Sequence, residues 1–309
     1  MESIRVYAPA TVANVACGFD IFGFAVNHPG DEVVLTKSAT PGIRMNEITG
    51  DEGRLPREVS KNTAGIAIIK YLEHIGKPDQ GFELSLHKDM PLGSGLGSSA
   101  ASAVAGVFAA NELMGKPLSQ KDLLPFAMEG ERVACGSAHA DNVGPSLLGG
   151  FVIIRSYDPL DIIQIPTPSD LYASIVHPQI EVNTKDARSI LEREITLHKT
   201  ITQMGNVAGL VAGLLLPDYD LIGRSLVDVI IEPARAILIP QFNVVKAAAL
   251  EAGALGCSIS GSGPSLFALS KGKETAERVA AAMAAGFHQV GIGTEEYVSE
   301  INQQGPMIR

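Results

Sequence analysis

The chain has 309 residues, of which 46% are hydrophobic and 19% are charged, and its formal net charge is -10. This composition is typical of a globular protein and argues against the disordered and fibrous classes. The excess of acidic residues also argues against nucleic acid or an anionic membrane surface as the main partner, because both would repel the protein.

The length of the chain and its cysteine content indicate the number of domains and the cellular compartment. A chain of this length exceeds the usual size of one domain, so two domains, or one large fold with a deep cleft, are expected. Its three cysteines, Cys17, Cys135 and Cys257, lie far apart without metal-ligand spacing, which predicts reduced thiols in a cytoplasmic protein. The sequence shows neither a signal-peptide pattern nor a run of roughly 18 apolar residues, so export and membrane insertion are not expected.

In the first half of the chain, alternating apolar residues predict strands, and helical spacing predicts helices between them. Strands are predicted at 4–11, 32–38, 81–87 and 151–155. Helices are predicted at 62–74, 98–114 and 119–135, and the stretch 136–150 is predicted to be turn-rich. A domain boundary is predicted after residue 155, which gives domains 1–155 and 156–309.

The second half mixes strands and helices without a regular alternation. Strand patterns lie at 171–177, 257–260 and 265–269, and an end strand is expected. Helical patterns lie within 184–231 and at 242–251 and 274–285. This irregular order favours an α+β fold over a doubly wound parallel sheet.

A glycine-rich segment follows the predicted strand 81–87 and runs directly into a predicted helix. Alternating glycines let successive backbone N–H groups turn toward one point, and the start of the helix adds further donors, which predicts an anion site. Serine hydroxyls at the mouth of the helix would add contacts to a phosphate or its metal. A plain helix-capping turn is the alternative. The segment consists of Pro91, Leu92, Gly93, Ser94, Gly95, Leu96, Gly97, Ser98, Ser99, Ala100 and Ala101.

Two common glycine motifs do not fit this segment. A Walker loop needs a lysine after its last glycine, and here Gly97 is followed by Ser98. A dinucleotide fingerprint needs a third glycine at position 98 and an acidic residue about twenty positions further on, where residues 117–120 read Pro-Leu-Ser-Gln. Neither a Walker ATPase nor a dinucleotide-binding protein is therefore indicated.

Helical phase separates two nearby acids in 119–135. Leu124, Ala127 and Met128 define an apolar face that also carries Glu131, whereas Glu129 falls on the other face. A carboxylate on an apolar face needs a cation or several donors, and Mg²⁺ among phosphate oxygens would supply one. The alternative is a buried acid paired with a nearby arginine.

The segment from Pro91 to Ala100 resembles the nucleotide loop of the GHMP small-molecule kinases, written Pro-x-x-x-Gly-Leu-Gly-Ser-Ser-Ala. Segments 8–20 and 260–265 also resemble that superfamily, so that the three matches span nearly the whole chain. The resemblance implies an N-terminal domain like ribosomal protein S5, with a left-handed βαβ crossover, and a ferredoxin-like C-terminal domain. It also implies ATP and Mg²⁺ as cofactors, with Ser98 and Glu131 sharing the metal.

Segments 139–150 and 231–235 are most similar to the branch of the superfamily that phosphorylates the side-chain hydroxyl of L-homoserine. An amino-acid substrate needs a guanidinium for its carboxylate and acids or amides for its ammonium. Arg188 and Arg235 suit the first role. The other predicted substrate residues are Asn14, Asp20, His139, Asp141, Asn142 and Thr184. For each of them a surface salt bridge or an Asx turn is the alternative.

The resemblance assigns further roles. Asn62 is expected near the nucleotide base or ribose, with helix capping as the alternative. Glu131, Ser98 and Arg235 are expected to carry catalysis by direct in-line phosphoryl transfer. Other members of the superfamily use an aspartate near a lysine as general base, and the resemblance implies that this branch lacks that pair, so Asp20 is expected to orient the substrate instead. A homodimer is also expected.

Two other functions remain open on sequence grounds. One is a kinase of the same superfamily acting on another alcohol, such as mevalonate, shikimate or a sugar. The other is a catalytically silent ATP-binding sensor that controls a partner through domain closure.

Overall fold

The computed structural model describes residues 2–136, 138–192 and 194–309. In this part of the chain the first sheet has seven strands in the order β11-β1-β2-β4-β3, and β5 joins it by pairing with β2 and β6. The bounds are β1 Ser3–Ala13, β2 Phe22–Ser38, β3 Ile43–Thr49, β4 Gly81–His87, β5 Phe151–Tyr157, β6 Leu160–Ile165 and β11 Met307–Ile308.

Four helices accompany this sheet: α1 Thr63–His74, α2 Ser98–Leu113, α3 Leu124–Cys135 and α4 Ala140–Leu148. The small residues of α2 let it pack closely, and it contacts α1, α3, α4, β1 and β2. The parallel strands β3 and β4 are connected through α1, which is the crossover that the family resemblance implies. The left-handedness of this crossover stays a prediction.

The second sheet has the order β10-β7-β9-β8 and is antiparallel throughout. Its strands are β7 Leu171–Pro178, β8 Gly256–Ile259, β9 Leu266–Lys271 and β10 Thr294–Glu300, with α9 Phe242–Glu251 and α10 Lys273–His288 between them. This order is that of a ferredoxin-like domain, as expected. Between β7 and α9 lie α5 Thr184–Ser189, α6 Leu197–Leu215, α7 Tyr219–Ser225 and α8 Glu232–Arg235.

The two sheets do not divide at residue 155. That residue lies within β5, and β6 continues the first sheet through antiparallel pairing with β5. The second sheet begins at Leu171, and β11 brings the end of the chain back to β1. The sheets therefore divide between residues 165 and 171, later in the chain than the predicted boundary.

The stretch 136–150 is not simply turn-rich, because it contains α4. Pro145 and several glycines disguise this helix in the sequence. The nitrogen of Pro145 has no hydrogen to donate to the carbonyl of Asp141, and the backbone of Gly23 on β2 packs against that carbonyl instead. Tertiary packing thus stabilises a helix that local propensity alone does not predict.

Aromatic side chains join the two sheets. Phe24 on β2 stacks on Phe151 at a centroid distance of 6.1 Å and meets Phe267 on β9 edge-on at 6.0 Å. All three rings are fully buried. The core is therefore continuous between the two domains. No helix in the described ranges has both the length and the apolar character needed to cross a membrane.

We predict that Phe24→Ala lowers the free energy of unfolding by about 3–5 kcal/mol, because it removes a buried ring and leaves a cavity between the sheets. Urea denaturation of the purified variant measures this change. Ile163→Ala is the matched control, since Ile163 is 42% exposed, and its effect should stay within about 0.5 kcal/mol. Equal effects for both variants would contradict a core shared by the two sheets.

Candidate active site

A cavity of about 620 Å³ lies where the glycine segment, the turn between β1 and β2, and helices α3, α4 and α5 meet. It brings together residues from both domains that are up to 248 positions apart in the chain, Asn14 and Ser262. All of the predicted substrate residues line it: Asn14, Asp20, His139, Asp141, Asn142, Thr184, Arg188 and Arg235. Their individual roles stay predictions.

The glycine segment forms a tight loop in left-handed conformation. Gly93, Gly95 and Gly97 have φ values of 69°, 79° and 70°, which L side chains rarely adopt. A Cβ atom on Gly95 would lie 2.5 Å from the carbonyl oxygen of Ser260, and one on Gly97 would lie 2.2 Å from Thr11 Oγ1. The glycines are therefore needed both for the backbone angles and for close contacts on two sides.

Hydrogen bonds hold the loop between the two domains. The N–H of Thr11 on β1 donates to the carbonyl of Leu96 at 3.0 Å, and Ser260 Oγ donates to the carbonyl of Gly95 at 2.8 Å. The N–H of Ser265 donates to the carbonyl of Ser94 at 3.1 Å. The glycine turn 261–263 thus supports the loop from the C-terminal domain.

Only part of the loop faces the cavity. The loop residues that line it are Leu92, Gly93, Ser94, Gly95, Gly97, Ser98 and Ser99. Leu96, Ala100 and Ala101 are instead fully buried in the core. The hydroxyl oxygen of Ser94 is buried and has no hydrogen-bond partner among the described residues, so a phosphate oxygen would satisfy it.

Ser98 and Glu131 meet the same cavity from two helices. Ser98 is the first residue of α2 and is 8% exposed, and Glu131 on α3 is 3% exposed. Glu129 lies on the other face of α3, where it pairs with Arg132 at 3.2 Å. The structure therefore separates the two acids as the helical phase predicted. A hydroxyl and a carboxylate are suitable ligands for Mg²⁺, which binds few protein oxygens besides phosphates and water.

Two arginines that line the cavity both lie over one aromatic ring. Arg188 forms a bidentate ion pair with Asp20, at 2.6 and 3.3 Å. Its guanidinium lies 5.4 Å from the centroid of Phe19, and that of Arg235 lies 5.0 Å from the same centroid. Phe19 was missed in the sequence analysis because nothing in its local pattern distinguishes it from a core residue.

Arg235 is buried and held in one orientation. Its Nε donates to the carbonyl of Ala187 at 3.0 Å, and Nη1 donates to the carbonyl of Gly261 at 2.9 Å. Burial lowers the pKa of this guanidinium, although Asp20 opposes the shift, and an arginine remains charged at neutral pH. A fixed, desolvated cation is thereby available to an anionic ligand.

The turn after β1 carries backbone strain. Asn14, Val15 and Ala16 all have positive φ, and Val15 is β-branched, which makes its φ of 41° an outlier. The side chain of Asn14 holds this turn by accepting from the N–H of Asp20 at 3.0 Å and donating to the carbonyl of Gly261 at 2.7 Å. Such strain is found where a fold fixes functional groups, here Asp20 beside Arg188.

The start of α4 supplies three of the predicted residues. Asp141 and Asn142 were expected in an irregular segment, but they lie in the first turn of this helix, after His139 as its N-cap. Burial lowers the pKa of His139, against the opposing effect of Asp20, so the imidazole is neutral at pH 7. Burial, followed by repulsion from Asp20, raises the pKa of Asp141 to about 7.

Asn142 contacts the glycine loop directly. Its Oδ1 accepts from Thr11 Oγ1 at 2.8 Å and lies against the backbone of Gly97. Two hydroxyls from the C-terminal domain, those of Thr184 and Ser262, also line the cavity and are 3.2 Å apart. The cavity thus offers polar side chains from both domains to a ligand.

Asn62 caps α1, which was the alternative interpretation of this residue. Its Oδ1 accepts from the N–H groups of Ala64 and Gly65 at 3.1 and 3.4 Å, and its Nδ2 donates to the carbonyl of Pro56 at 3.2 Å. Asn62 also lines the cavity, so a contact with the nucleotide stays a prediction.

Several residues in and beneath the cavity escaped the sequence analysis. Lys88, which lines the cavity, forms a buried ion pair with Asp31 beneath the loop. Charged residues next to the predicted strands 32–38 and 81–87 were the available signal for this pair. Arg54 and Glu181 form an ion pair of 3.3 Å between the two domains and both line the cavity. They lie in loops that no motif marks.

The matches to family models agree with this arrangement. The model of the GHMP kinase N-terminal domain matches residues 62–150, and that of the GHMP kinase C-terminal domain matches residues 210–289. The chain is thus a GHMP kinase, which confirms the resemblance stated above.

Individual relatives show to which family of GHMP kinases this chain belongs. The chain is 53% identical over 320 residues to a homoserine kinase of Chlorobium phaeobacteroides (strain BS1), with 100% of both chains covered. It is 40% identical to a homoserine kinase of Xylella fastidiosa (strain M12), with 97% of this chain and 92% of that one covered. The crystal structure of homoserine kinase from Cytophaga hutchinsonii matches with a TM-score of 0.98 and 61% identity, covering 100% of this chain and 98% of that one. The chain belongs to the homoserine kinase family.

We predict that Asp141→Asn raises the free energy of unfolding at pH 8. The folded-state pKa of about 7 lies above the ordinary 3.8, so this group destabilises the fold increasingly as pH rises between these values and fully above 7. Removing the charge should therefore recover up to about 4 kcal/mol at pH 8 and almost nothing at pH 4.

Urea denaturation at the two pH values measures this difference. Asp79→Asn, in an exposed turn, is the control and should show no pH-dependent gain. A less stable Asp141→Asn variant at pH 8 would contradict the raised pKa.

Proposed function

We propose that this protein transfers the γ-phosphoryl group of ATP to the side-chain hydroxyl of L-homoserine, giving O-phospho-L-homoserine and ADP, a step toward threonine. The observation that carries the proposal is that one cavity is lined both by a phosphate-type glycine loop and by two arginines with two aspartates. The loop suits the phosphates of a nucleotide, and the arginines and aspartates suit the carboxylate and ammonium of a free amino acid. The names of the relatives support the same substrate.

The substrate end of the cavity has the groups that an amino acid requires. Arg235 and Arg188 provide guanidinium groups for the carboxylate. Asp141 is buried, and its Oδ1 has no hydrogen-bond partner in the described ranges, so a ligand ammonium would both satisfy it and favour its ionised form. The side-chain hydroxyl would then point toward Asn142 and the loop.

The loop end would bind the triphosphate through backbone N–H groups, the hydroxyl of Ser94 and the start of α2. Ser98 and Glu131 would hold Mg²⁺. When bound, the ion neutralises charge on the phosphate oxygens. The remaining catalytic contribution is positioning, because a phosphoryl group needs in-line alignment and charge stabilisation more than covalent help.

We assign no general base. Asp20 is engaged in a bidentate pair with Arg188, so it holds the arginine that receives the substrate. The substrate oxygen forms a bond to the γ-phosphorus as the bond to the bridging oxygen of ADP breaks. The hydroxyl proton leaves to the transferred phosphate or to water.

A coupled assay of ADP release with L-homoserine, L-serine, mevalonate and shikimate tests the function. We expect turnover with L-homoserine to exceed that with each of the others. Preferred turnover of another alcohol would replace the proposed substrate. Tight ATP binding without any turnover would favour a catalytically silent sensor.

We predict that Glu131→Gln lowers kcat by about 10²–10³-fold and raises the Mg²⁺ concentration needed for half-maximal rate, because it removes one metal ligand and its charge. Glu129→Gln is the matched control on the same helix and should keep the rate and metal dependence of the wild type. Initial rates across a Mg²⁺ titration measure both. Normal turnover of Glu131→Gln would refute the metal assignment.

We also propose a homodimer formed through α6. Leu197, Ile201 and Met204 lie one turn apart on this helix and are 75%, 60% and 65% exposed. Residues 200–217 contain no charged side chain although the chain carries a net charge of -10, so this face can approach a second copy without repulsion.

Light scattering after size exclusion should give twice the mass of one chain for the wild type and the mass of a single chain for Ile201→Glu. Val290→Glu, at a residue 47% exposed on another surface, should remain dimeric. A wild-type monomer would contradict the homodimer.

A cytoplasmic location is proposed as well. Cys17 and Cys257 are buried free thiols, and burial raises the pKa of each to about 12. Such thiols stay reduced and unreactive.

A further inference from the structure

The carboxylate of Asp31 fastens both ends of the glycine loop. Asp31 lies on β2 beneath the loop, and its side chain has no exposed surface. Oδ1 accepts from the N–H groups of Asp89 and Met90 at 3.1 and 3.2 Å, immediately before the loop. Oδ2 accepts from Ser98 Oγ at 2.8 Å, immediately after the left-handed glycines. One carboxylate therefore sets the distance that the loop spans.

Lys88 supplies the charge that allows this carboxylate to be buried. Its ammonium group pairs with Asp31 Oδ2 and is itself only 2% exposed. It also donates to the carbonyl of Ser98 at 2.9 Å and to Ser102 Oγ at 2.7 Å. Burying a charge is costly unless it is paired and hydrogen-bonded. The pair with Lys88 therefore lets the Asp31 carboxylate stay beneath the loop, where it accepts from Ser98.

The hydrogen bond from Ser98 to Asp31 determines what Ser98 presents to the cavity. A serine hydroxyl has one hydrogen and two lone pairs. Because the hydrogen is donated to Asp31, the lone pairs are left for the cavity that Ser98 lines. A metal ion needs a lone pair, and a hydroxyl hydrogen pointing at it would repel it.

We propose that Asp31 is a positioning residue for phosphoryl transfer. It orients the Ser98 hydroxyl as a Mg²⁺ ligand and holds the two ends of the nucleotide loop. The proposal rests on the proposed function, in which Ser98 and Glu131 hold the metal. Outer hydrogen-bond partners of this kind orient metal ligands and commonly change metal affinity by about 10- to 100-fold when they are removed.

Asp31→Asn tests this orientation with little change in shape. The amide oxygen of Asn would keep the bonds from the N–H groups of Asp89 and Met90. Its NH₂ group would donate to Ser98 Oγ, which reverses that hydrogen bond and turns the hydroxyl hydrogen toward the cavity. The loop therefore keeps its hydrogen bonds at Asp89 and Met90, whereas the lone pairs of Ser98 are no longer turned toward the metal site. The substitution also leaves the Lys88 ammonium without its carboxylate partner, a loss that lowers stability in Mg²⁺ and in EDTA alike.

Calorimetric titration with ADP, in Mg²⁺ and in EDTA, separates the two effects. We expect Asp31→Asn to weaken ADP binding about 10- to 100-fold in Mg²⁺ and less than about 3-fold in EDTA. Glu32→Gln is the matched control. Glu32 is the next residue on the same strand, pairs with Arg5 and Arg309, and does not line the cavity, so its variant should bind like the wild type under both conditions.

A second variant keeps the test valid if Asp31→Asn does not fold. Ser98→Ala should show the same Mg²⁺-specific loss, and adding Asp31→Asn to it should change binding by less than about 3-fold, because both substitutions remove one interaction. Ser98→Ala with normal Mg²⁺-dependent binding would overturn the proposal, as would equal losses for Asp31→Asn in Mg²⁺ and in EDTA. If the wild type phosphorylates L-homoserine while either result is found, this inference fails and the proposed reaction and substrate stand. Normal Mg²⁺-dependent binding by Ser98→Ala would in addition refute Ser98 as a metal ligand.

Discussion

The site depends on one constraint, which is the left-handed backbone of the loop at Gly93, Gly95 and Gly97. This loop lies between the two domains. On one side Thr11 and Asn142 contact the loop at Gly97, and on the other Ser260 contacts it at Gly95. A side chain at Gly95 would push the C-terminal domain away from the loop, and one at Gly97 would clash with Thr11 and Asn142 in the N-terminal domain. The contacts that hold the loop in its anion-binding shape therefore also bring the C-terminal domain against it and close the cavity.

The C-terminal domain contributes charge as well as support to this cavity. The carbonyl of Gly261 accepts hydrogen bonds from both Asn14 and Arg235, so one backbone atom connects the strained turn after β1 with the buried guanidinium. Arg188 reaches the same region from α5 through its pair with Asp20. The substrate end thus forms only when both domains are in place, although its residues lie far apart in the sequence.

Sequence reasoning predicted those features that local chemistry encodes. The glycine spacing identified the loop, and helical phase distinguished Glu131 from Glu129, because both depend on residues close together in the chain. The family resemblance supplied the ferredoxin-like domain and the candidate substrate residues, all of which line the cavity. Local patterns missed α4, because Pro145 and nearby glycines hide a helix that packing against Gly23 stabilises. They also missed Phe19, Asp31 and Lys88, whose roles come from contacts made across the fold.

A crystal structure with a non-hydrolysable ATP analogue, Mg²⁺ and L-homoserine tests the central claim that one cavity joins the nucleotide and the amino acid. The account predicts the metal between Ser98 and Glu131, the triphosphate on the loop 93–99, and the homoserine carboxylate on Arg235 and Arg188. Its hydroxyl should face the γ-phosphate in line with the bond to be broken. Triphosphate bound away from the loop, or homoserine bound outside this cavity, would contradict the account.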